Sequence, residues 1–460
     1  MRVKVIGAGL AGCEAGWQLA QSGIAVELFD MKPHKKSPAH NSGDFAELVC
    51  SNSFRSNELT NAIGLLKEEM RKLGSLIMRC ADETRIPAGG ALAVDRERFA
   101  AMVTRSIRDH PLISVYEREV TDIPDGRVII ATGPLTSDRL SESLTDLFMD
   151  CEMLSFLDSA APIVSLESIK MESAFSGSRY GKGSADYINC PMTMDEYTAF
   201  YNELINAETA NIHGFEENMV FEGCMPVEVM AGRGIDTIRY GPLKPVGLTD
   251  PKTGKTPYAV VQLRKDNTGG TLYNLVGFQT HLKFAEQKRV FSMIPALNNA
   301  EFIRYGVMHR NTYLNSPKLL DRYNNLKADP RISFAGQITG VEGYVESASS
   351  GLLTGIETAR RLKGLPPVDF PAETAIGALA LYTSEGAVSD FQPMNINFGI
   401  ITPLDSKVKG KRNKNSVISQ RALTIIKEMK LSSMKTLREA ESDNSAVAAD
   451  PGGISDENDS

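Results

Sequence analysis

The chain has 460 residues, 42% of them hydrophobic, and a formal net charge of −7. The length suits two or three domains, no run approaches the roughly 20 apolar residues of a membrane-spanning helix, and the charge argues against a strongly basic nucleic-acid binder. Six acids lie in residues 441–460, which hold no Lys or Arg, so the body without that tail carries only −1 and leaves room for a local basic face.

The opening segment MRVKVIGAGLAG is apolar but short and broken by glycines, so it does not read as a signal peptide, and a cytoplasmic location is expected. In that compartment the six cysteines should be thiols rather than disulfides. No CxxC pair occurs and no metal site is expected. Cys13, Cys80, Cys151 and Cys190 read as small buried hydrophobes.

Val3–Ile6 reads as a short buried strand. A glycine loop follows, then a helix from about Ala11 to Gln21, closed by Ser22-Gly23. Ile24–Phe29 reads as a second strand ending in Asp30, which completes a βαβ unit. Residues 32–56 are polar and read as a long loop, a length that usually marks function or disorder. Residues 62–80 read as one amphipathic helix, residues 95–108 as another, and Arg127–Ala131 as a buried strand ending in Thr132-Gly133-Pro134.

Residues 166–330 change character, with many aromatic and turn residues, and read as an inserted domain. Arg331–Ala335 is again a strand. Gly340 and Gly343 lead through a loop into a helix over Ser347–Arg361. Residues 407–414 (KVKGKRNK) read as a basic loop, and 441–460 as a disordered acidic tail. The expected boundaries are 1–165 and 331–440 for a discontinuous cofactor domain and 166–330 for the insertion, with no internal repeat.

Gly7, Gly9 and Gly12 form G-x-G-x-x-G between a strand and a helix, with Ala8, Leu10 and Ala11 completing the loop. The first glycine permits the turn, the second lets backbone approach a pyrophosphate, and the third lets helix and strand pack closely. The helix N-terminus offers unpaired N–H groups to phosphates. Asp30 stands where a carboxylate can accept from a ribose diol. Two later segments resemble further flavin motifs of the glutathione-reductase-like class: Ile130-Ala-Thr-Gly133, and Arg331-Ile-Ser-Phe-Ala-Gly336-Gln337, where Gln337 replaces the usual acid. Three such segments in order imply FAD rather than NAD as the resident dinucleotide. They imply an α/β fold, a glutathione-reductase-like Rossmann FAD-binding domain with a smaller inserted α+β domain.

The segments VIGAGLAGCEA, LVCSNSFRSN, AGGALAVDRERF, FEGCMPVEVMA, LVGFQTHLKFAEQKRVF and FAGQITGVEGYVESASSGLL resemble the TrmFO family of folate- and FAD-dependent tRNA uracil-5-methyltransferases, related to MnmG. The resemblance runs from residue 1 to about 430. It implies an enzyme that forms ribothymidine in the tRNA T-loop, with the one-carbon unit from methylenetetrahydrofolate and electrons from NAD(P)H through FAD. No obligate protein partner is implied.

Uracil C5 becomes nucleophilic once a group adds at C6, and a thiolate suits that addition; a base must later take the C5 proton. Two cysteines lie in the family segments, Cys224 and Cys50. Cys224 is favoured as the C6 nucleophile and Cys50 as the thiol near the flavin, acting as base or adduct-former, and the two roles can be exchanged. His281 is a candidate to meet the folate, and His309, Arg310, Asn311 and Tyr344 to line the cleft. Arg96 and Arg98 either touch the FAD or face solvent, with solvent favoured for one of them. Lys407, Lys409, Lys411, Arg412 and Lys414 are candidates for RNA phosphate contacts, against the plainer reading of a solvated charged loop.

Other readings share parts of this pattern. The same chemistry would serve a ribosomal RNA uridine. An MnmG-type enzyme would need a longer C-terminal helical region. A flavin oxidoreductase without RNA, or a non-catalytic FAD-binding scaffold, would not need the two thiols.

Overall fold

A computed structural model describes residues 1–37, 39–148, 153–181, 185–210, 225–306, 308–385 and 391–448. The chain opens with β1 (Arg2–Ile6), α1 (Leu10–Gln21) and β2 (Ala25–Asp30). Val3, Val5 and Leu28 are fully buried, and the strands pair in parallel with Val5 opposite Leu28 and Ile6 opposite Phe29. A parallel strand covered on both faces reads as a continuous apolar run, which is why so short a segment suffices.

The long polar segment after β2 is not a plain loop. It ends in β3 (Ser53–Ser56) and buries Phe45, Leu48 and Asn52. The expected single helix over 62–80 is two, α2 (Ala62–Lys72) and α3 (Leu76–Glu83). Gly74 at φ +79° breaks the run, and Ser75 then caps α3 by accepting the Met78 N–H. Next come β4 (Arg85–Ile86), β5 (Ala91–Val94), α4 (Arg96–Arg108, capped by Asp95), β6 (Ile113–Glu117), β7 (Val128–Ile130) and α5 (Asp138–Phe148).

The next stretch holds β8 (Met153–Ser159), β9 (Ile163–Ser165), β10 (Phe175–Gly177), β11 (Tyr187–Met192) and α6 (Met194–Ile205). After it come α7 (Val227–Gly232), α8 (Thr237–Tyr240), β12 (Ala259–Lys265), β13 (Leu272–Leu275), α9 (Phe284–Phe291), β14 (Phe302–Arg304), β15 (Met308–Leu314) and α10 (Ser316–Leu319). These strands build an antiparallel six-stranded sheet in the order β10-β11-β12-β13-β9-β14, with its own core around Cys190, Phe200, Val261 and Phe291. β8 and β15 pair as a separate two-stranded ribbon.

The chain then returns to the first sheet. β16 (Ile332–Phe334) pairs in parallel with β7, giving the order β16-β7-β1-β2-β6. A 3-10 turn (Gln337–Thr339) leads to α11 (Tyr344–Leu362), which begins three residues earlier than the sequence suggested. α11 lies against α1 through glycines: a Cβ on Gly351 would stand 2.2 Å from the Ala11 carbonyl oxygen, and one on Gly355 2.7 Å from that of Ala15.

α12 (Ala375–Glu385) and α13 (Lys411–Ala448) complete the fold. Lys411, Arg412 and Lys414 therefore lie in the first turn of a helix rather than in a loop. The acidic tail is helical through Ala448, while residues 449–460 lie outside the described residues. Among the described residues no helix is long and apolar enough to cross a membrane.

Candidate active site

The glycine turn sits at the carboxyl ends of the parallel strands, where open α/β sheets bind ligands. Gly7 has φ +101°, and a Cβ there would lie 2.5 Å from the Ala131 carbonyl oxygen. A Cβ on Gly12 would lie 1.8 Å from the Gly7 carbonyl oxygen, so the third glycine is required by packing. Gly9 differs: a Cβ there would meet nothing within 4 Å. Protein does not fill that space, and it faces a cleft of about 1120 Å³ counting its open mouth.

Of the predicted cofactor residues, Gly7, Gly9, Leu10, Ala11, Asp30, Gly133, Gly336, Gln337 and Tyr344 line this cleft. Ala8 and Gly12 are not among its lining residues. The Ala8 N–H donates to Asp30 Oδ2 at 2.6 Å, and the Lys32 N–H to Oδ1 of the same carboxylate at 2.8 Å. Gln337 Nε2 donates to Glu342 Oε2 at 2.6 Å, so the neutral replacement for the acid of the glutathione-reductase-like motif is itself oriented by a carboxylate. With α1's first N–H groups at one wall, the residues present fit a dinucleotide pyrophosphate.

Residues the sequence did not single out also face the cleft: Lys32, Ser37, His40, Glu47 and Val49, all from the long polar segment. Ser37 Oγ and His40 Nδ1 lie 2.6 Å apart. Burial, reinforced by nearby Lys32 and Arg304 against Glu47 and Asp30, pulls His40 below the ordinary histidine range.

Cys50 is half-buried at the end of this wall. The backbone N–H groups of Cys50 and Ser51 donate to the Tyr344 hydroxyl oxygen at 2.7 and 3.1 Å. Arg304 donates to the Val49 carbonyl at 2.6 Å, and Arg96 to that of Leu48. Arg264 donates to Ser51 Oγ at 2.9 Å and to Asn52 Oδ1 at 3.0 Å. Arg96 pairs with Asp266 through two hydrogen bonds of 2.9 and 3.2 Å, so it is held inward and does not line the cleft, while Arg98 is exposed. Burial raises the Tyr344 phenol well above its usual range, Cys50 adding in the same direction and Arg96 opposing.

His281 does not line the cleft. Its Nδ1 is 2.6 Å from Glu228 Oε1, which also accepts the His281 N–H at 2.8 Å. Glu228 lies in α7, and the Val227 N–H donates to the Gln279 carbonyl at 2.7 Å, so the segment carrying His281 and the start of α7 are tied together. Cys224 and Cys151 lie outside the described residues. Cys13, Cys80 and Cys190 are fully buried. His309, Arg310 and Asn311 lie on β15, their side chains outside what is described. Lys407, Lys409, Lys411, Arg412 and Lys414 are all exposed, and none pairs with a carboxylate among the described residues. Among those residues no cluster of potential metal ligands occurs.

The profile of the family described as glucose inhibited division protein A matches residues 2–366. A methylenetetrahydrofolate–tRNA-(uracil-5-)-methyltransferase TrmFO of Acetivibrio thermocellus is 61% identical over 93% of this chain and 98% of its own. One from Desulfitobacterium hafniense is 58% identical with the same coverage. The chain belongs to the TrmFO family.

A solved Aquifex aeolicus GidA superposes on 95% of this TrmFO chain and 75% of its own, with a TM-score of 0.66 at 17% identity, which bears on the fold alone. The glutathione-reductase-like α/β fold expected of a TrmFO chain is thus found. The features that motif reading missed are Arg264, Arg304 and Asp266. Only Arg264 carried a signal, and that without its partner: Gln262 and Arg264 alternate on a buried strand that is apolar up to its closing Lys265, a pattern that demands buried polar partners without naming them.

Proposed function

We propose that this chain methylates C5 of a tRNA uridine, with the one-carbon unit drawn from methylenetetrahydrofolate, FAD held over the Gly7–Gly12 turn, and NAD(P)H as the electron source. Support comes from TrmFO relatives whose names state the folate donor and the tRNA uracil target, at 61 and 58% identity and covered almost end to end. FAD bound there and reduced by NAD(P)H would supply the electron pair that takes the transferred carbon to the methyl level. Residues 1–165 and 331–440 are assigned to the FAD domain and 166–330 to the inserted domain, save that β9 pairs within the antiparallel sheet and goes with the insertion, and the protein is assigned to the cytoplasm.

One observation carries the reading of the site. Tyr344 lines the dinucleotide cleft and, through its hydroxyl, accepts from the backbone of the Cys50 turn, which supports a role for Cys50 beside the cofactor seat. Cys224 is assigned attack on uracil C6, and Cys50 removal of the C5 proton or adduct formation near the flavin; exchanged roles fit equally. A thiolate adding at C6 pushes the double-bond pair toward C5 and O4, which is what makes C5 nucleophilic. His281, whose backbone N–H donates to Glu228 and whose Nδ1 lies 2.6 Å from that carboxylate, is assigned to the folate. The exposed cations from Lys407 to Lys414 are assigned to RNA phosphates.

The test uses the flavin-loaded enzyme with folate bearing an isotope-labelled methylene group, NAD(P)H and undermodified RNA. Label should appear in the T-loop uridine of tRNA and not in a ribosomal RNA fragment. Cys224→Ala should abolish transfer while the protein stays yellow. Label absent from tRNA although the flavin is reduced would overturn the reading, and label in the ribosomal fragment instead would move its target.

A further inference from the structure

Three guanidinium groups converge on the turn that carries Cys50. Arg96 comes from α4, Arg264 from β12 and Arg304 from β14, and together they hold Leu48, Val49, Ser51 and Asn52. One carboxylate forms an ion pair with them. Asp266 pairs with Arg96, while neither Arg264 nor Arg304 makes an ion pair among the described residues. Arg264 is only 7% exposed.

A guanidinium stays charged in proteins, and burying a charge without a counter-ion is costly. Burial holds both Arg264 and Arg304 below the ordinary guanidinium range, as it does for cations short of partners. The groups facing them from the packed elements are Asp266, Tyr344, Glu47, Tyr187 and Cys50. Tyr344 and Tyr187 are phenols that burial pushes up, hence neutral. Glu47 faces Arg304, and Asp266 faces both arginines, without pairing with either among the described residues. Cys50 sits on the turn between the Val49 carbonyl that Arg304 holds and the Ser51 hydroxyl that Arg264 holds, and its sulfur lies within electrostatic reach of Arg96 and Arg264.

We propose that Arg264 and Arg304, reaching across from the antiparallel sheet, are positioning residues that hold Cys50 as a thiolate. The S–H bond breaks, its pair stays on sulfur, and the proton leaves to solvent. The inference rests on the reading that Cys50 works in the transfer reaction. It adds that the thiol's charge state is set by the antiparallel sheet and not by the sheet that seats the cofactor. The same thiolate is what a base for the C5 proton requires.

The experiment follows alkylation of Cys50 by iodoacetamide against pH in the holoenzyme, read peptide by peptide in the mass spectrometer. Buried Cys13, Cys80 and Cys190 serve as internal reporters, because they react only if the fold opens. The parent's Cys50 midpoint should fall at least about one pH unit under the ordinary thiol value of about 8.5. Arg264→Gln and Arg304→Gln should each raise it by about one unit, a roughly tenfold loss of thiolate near neutrality, and Arg304→Lys should restore most of it. If Arg264→Gln exposes the three buried thiols, Arg304→Gln, which removes a single hydrogen bond to the turn, carries the comparison. An ordinary midpoint in the parent, or one that neither Gln variant moves while the buried thiols stay protected, overturns the proposal. Methyl transfer is assayed on the same parent preparation. Transfer with an ordinary midpoint defeats only the arginine inference; a low midpoint without transfer defeats only the functional reading.

Discussion

Gly9 and Gly12 stand three residues apart and do different work. Gly9 has φ −76°, open to any residue, and a methyl group there would enter empty cleft. Gly9→Ala should therefore unfold at the parent's temperature when flavin-free and yet take up little FAD. Gly12→Ala drives a methyl into the Gly7 carbonyl and should lose about 1–3 kcal/mol of stability before any cofactor is added. Thermal unfolding of both apoproteins, with flavin absorbance after reconstitution, separates the two roles. Lys67 gives a second test. It is fully buried, donates to the Phe54 carbonyl at 2.9 Å and the Arg55 carbonyl at 3.2 Å, and burial beside Arg71 and Arg55 pulls it from 10.5 down to about 7. Between those values the unfolded chain binds a proton that the folded chain has released, so this group's contribution to stability rises with pH across the window. Lys67→Met should cost about 1–3 kcal/mol through the two orphaned carbonyls, and its deficit in urea unfolding should widen from about pH 7 toward pH 10. The glycines and Asp30 were legible in the sequence because backbone geometry alone dictates them. Arg264 and Arg304 were not, since nothing in a single strand's pattern says which distant turn a buried guanidinium will meet.

Elements show the same division between local and distant signals. The βαβ opening was readable to within a residue because its apolar run, glycine turn and acid are all local. The helix over 62–80 was misread because its apolar spacing continues across Leu73-Gly74-Ser75, and periodicity alone does not see a break. What fixes the break is Glu14 on α1, whose carboxylate accepts the Ser75 hydroxyl at 2.6 Å and the Ile77 N–H at 3.0 Å, capping α3 from another helix. The contact of α1 with α11 was likewise hidden, since Gly351 and Gly355 look like weak spots in a helix until Ala11 and Ala15 are seen against them. Gly355→Ala should push the two helices apart and lower stability by about 1–3 kcal/mol, while Gly364→Ala, just past the end of α11 where a Cβ meets nothing within 4 Å, should cost only the strain of its φ of +67°. Differential scanning calorimetry on the pair checks this.

At the scale of the whole molecule, the charge distribution carries a prediction that no single side chain does. If the exposed cations from Lys407 to Arg412 meet phosphates, replacing Lys407, Lys409, Lys411 and Arg412 by Gln should weaken tRNA binding and flatten its salt dependence by about 0.7–0.9 in the log–log slope for each phosphate no longer neutralised. An unchanged slope would return them to the role of a solvated helix start. Net charge could not reveal this face, because the tail's acids mask it. Assembly order also follows from the architecture. The hydroxyl that carries the Cys50 turn belongs to a residue 294 positions downstream, and the strand that finishes the parallel sheet emerges only shortly before it. At ribosomal speeds of about 5–20 residues per second, roughly 15–60 s separate the thiol's synthesis from the arrival of its support. During that interval the nascent chain has no complete seat for the flavin, although Arg96, Arg264 and Arg304 are made before it ends. Flavin uptake thus waits for β16 and Tyr344, and the backbone of the Cys50 turn gains its support in the same step.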